Sequence, residues 1–343
     1  TTMVLAGILQ GDTSTLRGTI NNQAQVVFDQ DTDGSFTGVI NNIGAVTKRG
    51  SGAVTFDASQ SYEGGTTVES GTLRLATGAT LASLGRLIVN GGTFDLNGNT
   101  QTVSALSGTG GTIALGNGQL TVDQATNTAY AGNITGAGAL VKSGVGTLTL
   151  SGTNTYSGGT IVNGGILQGT TTSLQGDITN NAAVYFNQAT TGTYAGVMSG
   201  SGSMLVTGGG TVVLTGNNTY TGGTTVGAGN ILQLGDGGTT GWIVGNVVTN
   251  GTLAFNRSDD VTFAGDISGS GGISLMGPGV VTLTGNNTFL GDITIGGTIR
   301  AGSDAQLGPT GNTLKLQGGT VLVTASFASG RPIELVSGNG TFD

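Results

Sequence analysis

A block of fixed internal spacing returns four times along this chain. One copy reads Thr-Leu-Thr-Leu-Ser-Gly-Thr-Asn-Thr-Tyr-Ser-Gly-Gly-Thr-Ile-Val over 147–162, and its relatives end at Val68, Val226 and Ile295. The aromatic residues of the four copies are Tyr62, Tyr156, Tyr220 and Phe289, and each follows another aromatic by 26 residues. Gly stands two residues after that earlier aromatic: Phe36-Gly38, Tyr130-Gly132, Tyr194-Gly196 and Phe263-Gly265. A duplicated loop would not keep two landmarks in register, so the repeating unit is a multi-strand module and the chain is one repeat array.

The full period is longer than the landmark interval. Successive Tyr/Phe positions lie 94, 64 and 69 residues apart, with the excess of the first gap falling in sequence of the same texture from Gly91 to Leu120. A solenoid absorbs extra coils in this way because each coil touches only its neighbours. The reading is one continuous segment over 1–343, with units at approximately 9–72, 73–166, 167–231 and 232–299 and a partial unit at 300–343.

Short alternating runs supply the strands, among them Ala53-Val54-Thr55-Phe56, Thr147-Leu148-Thr149-Leu150, Val280-Val281-Thr282-Leu283, Thr66-Thr67-Val68 and Leu314-Lys315-Leu316. Val54, Leu148, Val212 and Val281 share one position, and Phe56, Leu150, Leu214 and Leu283 share another two residues on. Period two sends both sets to one face and the intervening Thr or Val to the other. Asn-Gly, Ser-Gly and Gly-Gly steps divide the strands, where the backbone is expected to turn with positive φ. No amphipathic helix is found. With Gly at 69 of 343 residues and Pro at only 3, collagen is excluded. The irregular period excludes a propeller, and single-Gly corners between very short strands favour coils over sandwich hairpins.

The predicted fold is therefore all-β: a right-handed parallel β-helix, a solenoid forming a single elongated rod. At roughly 20–25 residues per coil the chain makes ~14–17 coils of ~4.8 Å each, ~70–80 Å in all.

The inventory of reactive groups is thin. Without His or Cys, a Ser-His triad, a cysteine nucleophile and the usual zinc site are impossible. Charged residues make up 8% of the chain against about 25% in an ordinary domain. The acids mostly stand singly, where a glycosidase or lyase would cluster two or three in one cleft. The chain is read as no enzyme. A net charge of −8 argues against nucleic acid and anionic membranes, and no run reaches the ~20 apolar residues of a membrane helix. Lys48-Arg49, the adjacent basic pair, reads as a solvated corner.

A few residues carry a second reading beside the structural one. Asp29, Asp31 and Asp33, in Asp-Gln-Asp-Thr-Asp-Gly, match the first half of a calcium loop. The twelfth position is Ile40 where an EF-hand needs Glu, and the equivalent stretches at 123–127, 187–191 and 256–260 mark the same place as an ordinary repeat corner. No other cofactor is expected. Asn154, Asn218 and Asn287 recur before Thr-Tyr or Thr-Phe and read as corner residues. The repeated aromatics cover the core or stack on a sugar. Trp242, the single tryptophan, is the candidate contact for a sugar or protein if exposed, and a core filler otherwise.

The blocks at 149–160 and 213–226, with Thr-Tyr-Ala-Gly-Val-Met-Ser-Gly-Ser-Gly-Ser at 193–203, resemble the passenger-associated transport repeat of bacterial autotransporters. Copy one departs at Ser59-Gln60-Ser61-Tyr62-Glu63 and copy four at Phe289-Leu290-Gly291-Asp292, which raises the expectation of different outer surfaces there. The resemblance implies an extracellular β-helical passenger at the surface of a Gram-negative cell, acting as an adhesin or self-associating stalk. Its partner would be a protein or glycan surface, or another copy of itself. It also implies a covalently linked C-terminal outer-membrane barrel in the full-length protein, and export in type V fashion. Thr1 begins within repeat texture without a signal peptide, and Asp343 ends without barrel strands, so the chain reads as an excised or processed passenger segment. A carbohydrate-binding or carbohydrate-processing β-helix is the alternative. An ice-binding face is disfavoured by the irregular coils.

Overall fold

The chain turns so often that none of its 43 strands exceeds five residues. Strands this short cannot hold an isolated pair, so each depends on a neighbour on either side. The computed structural model describes residues 1–343, and its only helix is a 3₁₀ turn at Asp304–Leu307. Strand pairing is parallel throughout.

The chain divides into two compact units, Thr1–Asp177 and Ile178–Asp343. In the first, Val26, Val46, Thr66, Leu87 and Leu106 are successive partners in one ladder, a step of 19 to 21 residues. In the second, Val212, Leu232, Leu253, Ile273, Ile293, Leu314 and Ile333 follow the same step. Both units are parallel β-solenoids, with about 17 turns in all. The 26-residue landmark interval now has a cause. Phe36 pairs with Phe56 one turn on, and Tyr62 follows Phe56 across one corner. Tyr130, Tyr194 and Phe263 pair in the same way with Leu150, Leu214 and Leu283.

The alternation places the core as the sequence implies. Val54, Leu148, Val212, Val281, Phe56, Leu150, Leu214 and Leu283 are all 3% exposed or less. Each such side chain stabilises its turn by roughly 1.5–3 kcal/mol, delivered to the two turns it touches and not to a common centre. Val213 is the exception on the outer row, being buried as well.

The Gly after each upstream aromatic answers a different need from the one its sequence suggests. A Cβ on Gly38 would lie 1.9 Å from the Gly18 carbonyl oxygen, one on Gly132 2.4 Å from that of Gly110, and one on Gly265 2.0 Å from that of Gly245. None of these three has positive φ. They are glycines because one turn rests on the backbone of the last. Left-handed backbone does occur at other corners, such as Gly50 and Gly144.

The repeated aromatics lie inside. Tyr62, Tyr156, Tyr220 and Phe289 are 2% exposed or less, so they cannot stack on a sugar. Each buried phenol needs a partner, and the hydroxyls of Tyr62, Tyr156 and Tyr220 meet those of Thr66, Thr160 and Thr224 at 2.7, 2.6 and 2.6 Å. In the fourth copy Phe replaces Tyr at 289 and Ile replaces Thr at 293, so both polar partners leave together.

Candidate functional site

Most polar side chains singled out by the sequence bind one turn to the next. Asn154, Asn218 and Asn287 are buried. Each accepts a backbone N–H from the preceding turn, from Ile134, Met198 and Ile267. Each also donates its amide N–H to a carbonyl of the following turn, at Ser173, Trp242 and Gln306. They are inter-turn clamps, and none has the left-handed backbone for which Asn is favoured at corners. Gln60 takes the position in copy one, accepting from Ile40 and donating to Gly38 and Ala58. That departure therefore preserves an inner function.

The basic pair corrects its sequence reading by half. Arg49 is a partly exposed partner of Glu69 at 2.6 Å, as a solvated corner should be. Lys48 is fully buried, and its ammonium donates to the carbonyls of Arg49, Gly50 and Ser70. Lys142 does the same with Ser143, Gly144 and Gly164 at 2.6, 2.9 and 3.0 Å. A long stem lets the charge cross the inside of the corner and reach several corner carbonyls at once.

These buried groups couple the fold's stability to alkaline pH. Burial raises the phenol pKa of Tyr62, Tyr130, Tyr156 and Tyr220 above the ordinary 10.0. Above pH 10 the unfolded chain loses phenolic protons that the folded chain keeps, so stability falls as pH rises. Lys48 and Lys142 act oppositely: burial lowers their pKa below 10.5, and the unfolded chain holds the extra proton up to that value. Beyond 10.5 the tyrosines are unopposed. Denaturant melts should weaken there by up to about 1.4 kcal/mol per pH unit for each buried tyrosine. A Tyr220→Phe/Thr224→Ile variant, which imports the fourth copy's pair, should lose that share of the slope; an unchanged slope would refute the assignment.

Asp29, Asp31 and Asp33 do not converge on a point, and no group of three acids is placed to hold a metal ion. Asp29 accepts from the Gln10 amide at 2.9 Å, Asp31 from Ser51 N–H and Oγ at 2.9 and 3.0 Å, and Asp33 from Ala53 N–H at 2.8 Å. The Ser51 bonds hold the Asp31 carboxyl below its ordinary pKa. Asn127 and Asp260 fill the position of Asp33, accepting from Thr147 and Val280 N–H. An amide that serves as well as a carboxylate shows that the bond needs an oxygen and not a charge.

Trp242 stands where the winding is interrupted. Leu214 pairs with Leu234, a step of 20, yet Asn217 meets Trp242, a step of 25. The inserted residues form a loop with positive φ at Gly235, Gly237 and Gly241. Arg257, on the following turn, ties it down: Nη1 donates to Gly241 O at 3.0 Å, Nη2 to Thr239 O, and Nε and Nη2 to the Asp259 carboxylate at 2.9 and 2.8 Å. The same guanidinium lies 5.8 Å from the indole centroid. The indole packs on Phe255 and Phe263, at 6.1 and 5.7 Å between centroids, and remains half-buried. It lines an open groove of about 420 Å³ with Asn217, Arg257, Asp260, Val261 and Thr262. A second depression of about 120 Å³ shares the indole as a wall.

Arg257 is the residue that the sequence reading passed over. Its position in the other copies holds Gln30, Gln124 or Gln188, all buried. Gln30 and Gln124 each donate to two nearby carbonyls, Thr32 and Ala53 or Thr126 and Thr147. A cation replacing this amide only where the period lengthens is the signal that could have found the site.

Comparison with known proteins bears on the repeats. The passenger-associated transport repeat model matches residues 46–75, 140–168, 206–234 and 276–301. Each matched segment contains one amide clamp, at Gln60, Asn154, Asn218 or Asn287, and the buried aromatic two residues beyond. Over 150 residues, 41% of this chain, it is 40% identical to the adhesin BmaC autotransporter of Brucella suis. Over 289 residues, 82% of this chain, it is 29% identical to an uncharacterized lipoprotein, YdeK, of Escherichia coli. The chain spans 4% of the first relative's length and 21% of the second's. No solved structure matches. The chain thus carries four passenger-associated transport repeats and is homologous, over part of its length, to an autotransporter adhesin.

Proposed function

We propose that this chain is a segment of an extracellular adhesin passenger, displayed by a Gram-negative cell. In the full-length protein it would be joined to a C-terminal outer-membrane barrel. One observation carries the reading: the side chains that look chemically active in the sequence are used to hold turn to turn, and a specialised feature, the Trp242 loop, faces outward. A scaffold that spends its polar groups on rigidity presents a surface to a partner and performs no chemistry of its own. The partial homology to an autotransporter adhesin supports the same reading. The partner is a protein or glycan surface, or a second copy on a facing cell.

Beads coated with the purified chain should adhere to epithelial cells, or to one another, more than beads coated with an unrelated acidic β protein. Adhesion no greater than that control on cells, on matrix-coated plates and between beads would overturn the proposal.

A further inference from the structure

We infer that the groove beside Trp242 binds one pyranose residue of a surface glycan. The inference deepens the adhesin reading and rests on it for biological meaning, though not for its chemistry. Insertions in a solenoid are where binding surfaces arise, because the stacked core fixes the turns while an added loop is free to differ. This insertion is also pre-organised. Arg257 bonds two of its carbonyls, Ser258 N–H donates to Gly238 O, and Gly237 N–H donates to Asn256 O. A ligand therefore meets a formed site, and little ordering cost is charged against a weak contact.

The lining selects the ligand class. A pyranose has an apolar C–H face and a rim of hydroxyls. The half-buried indole offers a flat apolar surface, while the Asn217 side chain and the Asp260 carboxylate offer hydrogen bonds beside it. Asp260 uses Oδ1 on Val280 N–H at 3.0 Å, and Oδ2 lies 3.9 Å from Arg300 Nη2, beyond hydrogen-bonding distance. Arg257 is neutralised by Asp259, and Asp260 has Arg300 beside it, so the groove suits a neutral ligand better than an anionic one. An apolar peptide side chain would need an enclosed pocket, whereas Asn217, Asp260 and Thr262 on this groove are exposed. An open groove implies weak binding per site, strengthened by many copies on a cell.

The single tryptophan makes the test direct, because all indole fluorescence comes from the site. The intact chain is titrated with methyl α-mannopyranoside, methyl β-galactopyranoside, methyl β-glucopyranoside and N-acetylglucosamine at millimolar concentrations. At least one should change the emission saturably. Asp260→Asn keeps the Oδ1 bond, as Asn127 shows in its own copy, so it should fold and melt normally while binding that sugar roughly tenfold more weakly. Trp242→Phe, followed by calorimetry, should lose binding. No saturable change with any of the four sugars overturns the inference, as does unchanged affinity in Asp260→Asn and Trp242→Phe. Coated beads separate this from the broader proposal. If wild-type and Asp260→Asn beads adhere equally, the groove assignment fails while the adhesin reading stands. If a sugar titrates but wild-type beads adhere to nothing, the adhesin reading fails while the site stands.

Discussion

Leu148→Asp is expected to open the turns around it while leaving distant turns intact. Leu148 is fully buried and is flanked in its ladder by Thr128 on one side and Leu167 on the other. An unpaired carboxylate in that row costs several kcal/mol, or is driven to take up a proton. The penalty is thus greatest above the ordinary carboxylate range and is relieved in acid. Thr147→Asp, one residue away on the half-exposed row, should cost less than about 0.5 kcal/mol. Because each turn is stabilised by its neighbours, hydrogen exchange should show lost protection centred on the strands Thr128–Tyr130, Thr147–Leu150 and Ile166–Gly169. Leu214→Asp and Thr211→Asp repeat the comparison in the second unit. Equal losses at the inner and outer positions would show that the faces are wrongly assigned.

How much of this could be read from the residues differs by feature. The all-β parallel solenoid was legible because period-two alternation and a repeated landmark are both local signals, and Val54 through Leu283 lie inside as that period requires. The reason for Gly38, Gly132 and Gly265 was not legible. A positive φ and a backbone contact one turn away call for the same residue, and only the register tells them apart. Lys48 was misread for a similar reason. Its neighbour Arg49 is partly exposed, and a charged pair carries no mark of which member points inward until the alternation is followed through it. Asp29, Asp31 and Asp33 imitate a cation loop because short acceptors at alternate positions serve equally well to receive N–H groups from the next turn. Trp242 was found by its rarity. Arg257 was missed because its meaning lies in a comparison between copies and in an insertion 16 residues earlier in the chain, at Gly241.

The amide clamps should be worth more than any surface polar bond of the same kind, and Asn154 allows a controlled comparison. Its Oδ1 accepts from Ile134 N–H at 2.8 Å and its Nδ2 donates to Ser173 O at 2.7 Å, both bonds buried. Leu nearly matches its shape but bonds neither group, so Asn154→Leu strands a donor on one turn and an acceptor on another. Each buried orphan costs about 1–3 kcal/mol, giving a loss of roughly 2–6 kcal/mol. The exposed Asn133 makes the same bond on the outside, accepting from Thr153 N–H at 3.0 Å. Water can replace it there, and Asn133→Ala should cost under about 1 kcal/mol. Asn154→Gln should recover part of the loss, since Gln60 keeps the bond from the preceding turn in copy one. Denaturant melts of the three variants decide the matter. If Asn154→Leu matches Asn133→Ala, the repeated amide is replaceable filler and the turns are held by backbone ladders and apolar burial alone. If the loss is large and Gln restores part of it, one amide per repeat ties its own turn to a neighbour, and its recurrence beside the buried aromatic is explained by that task.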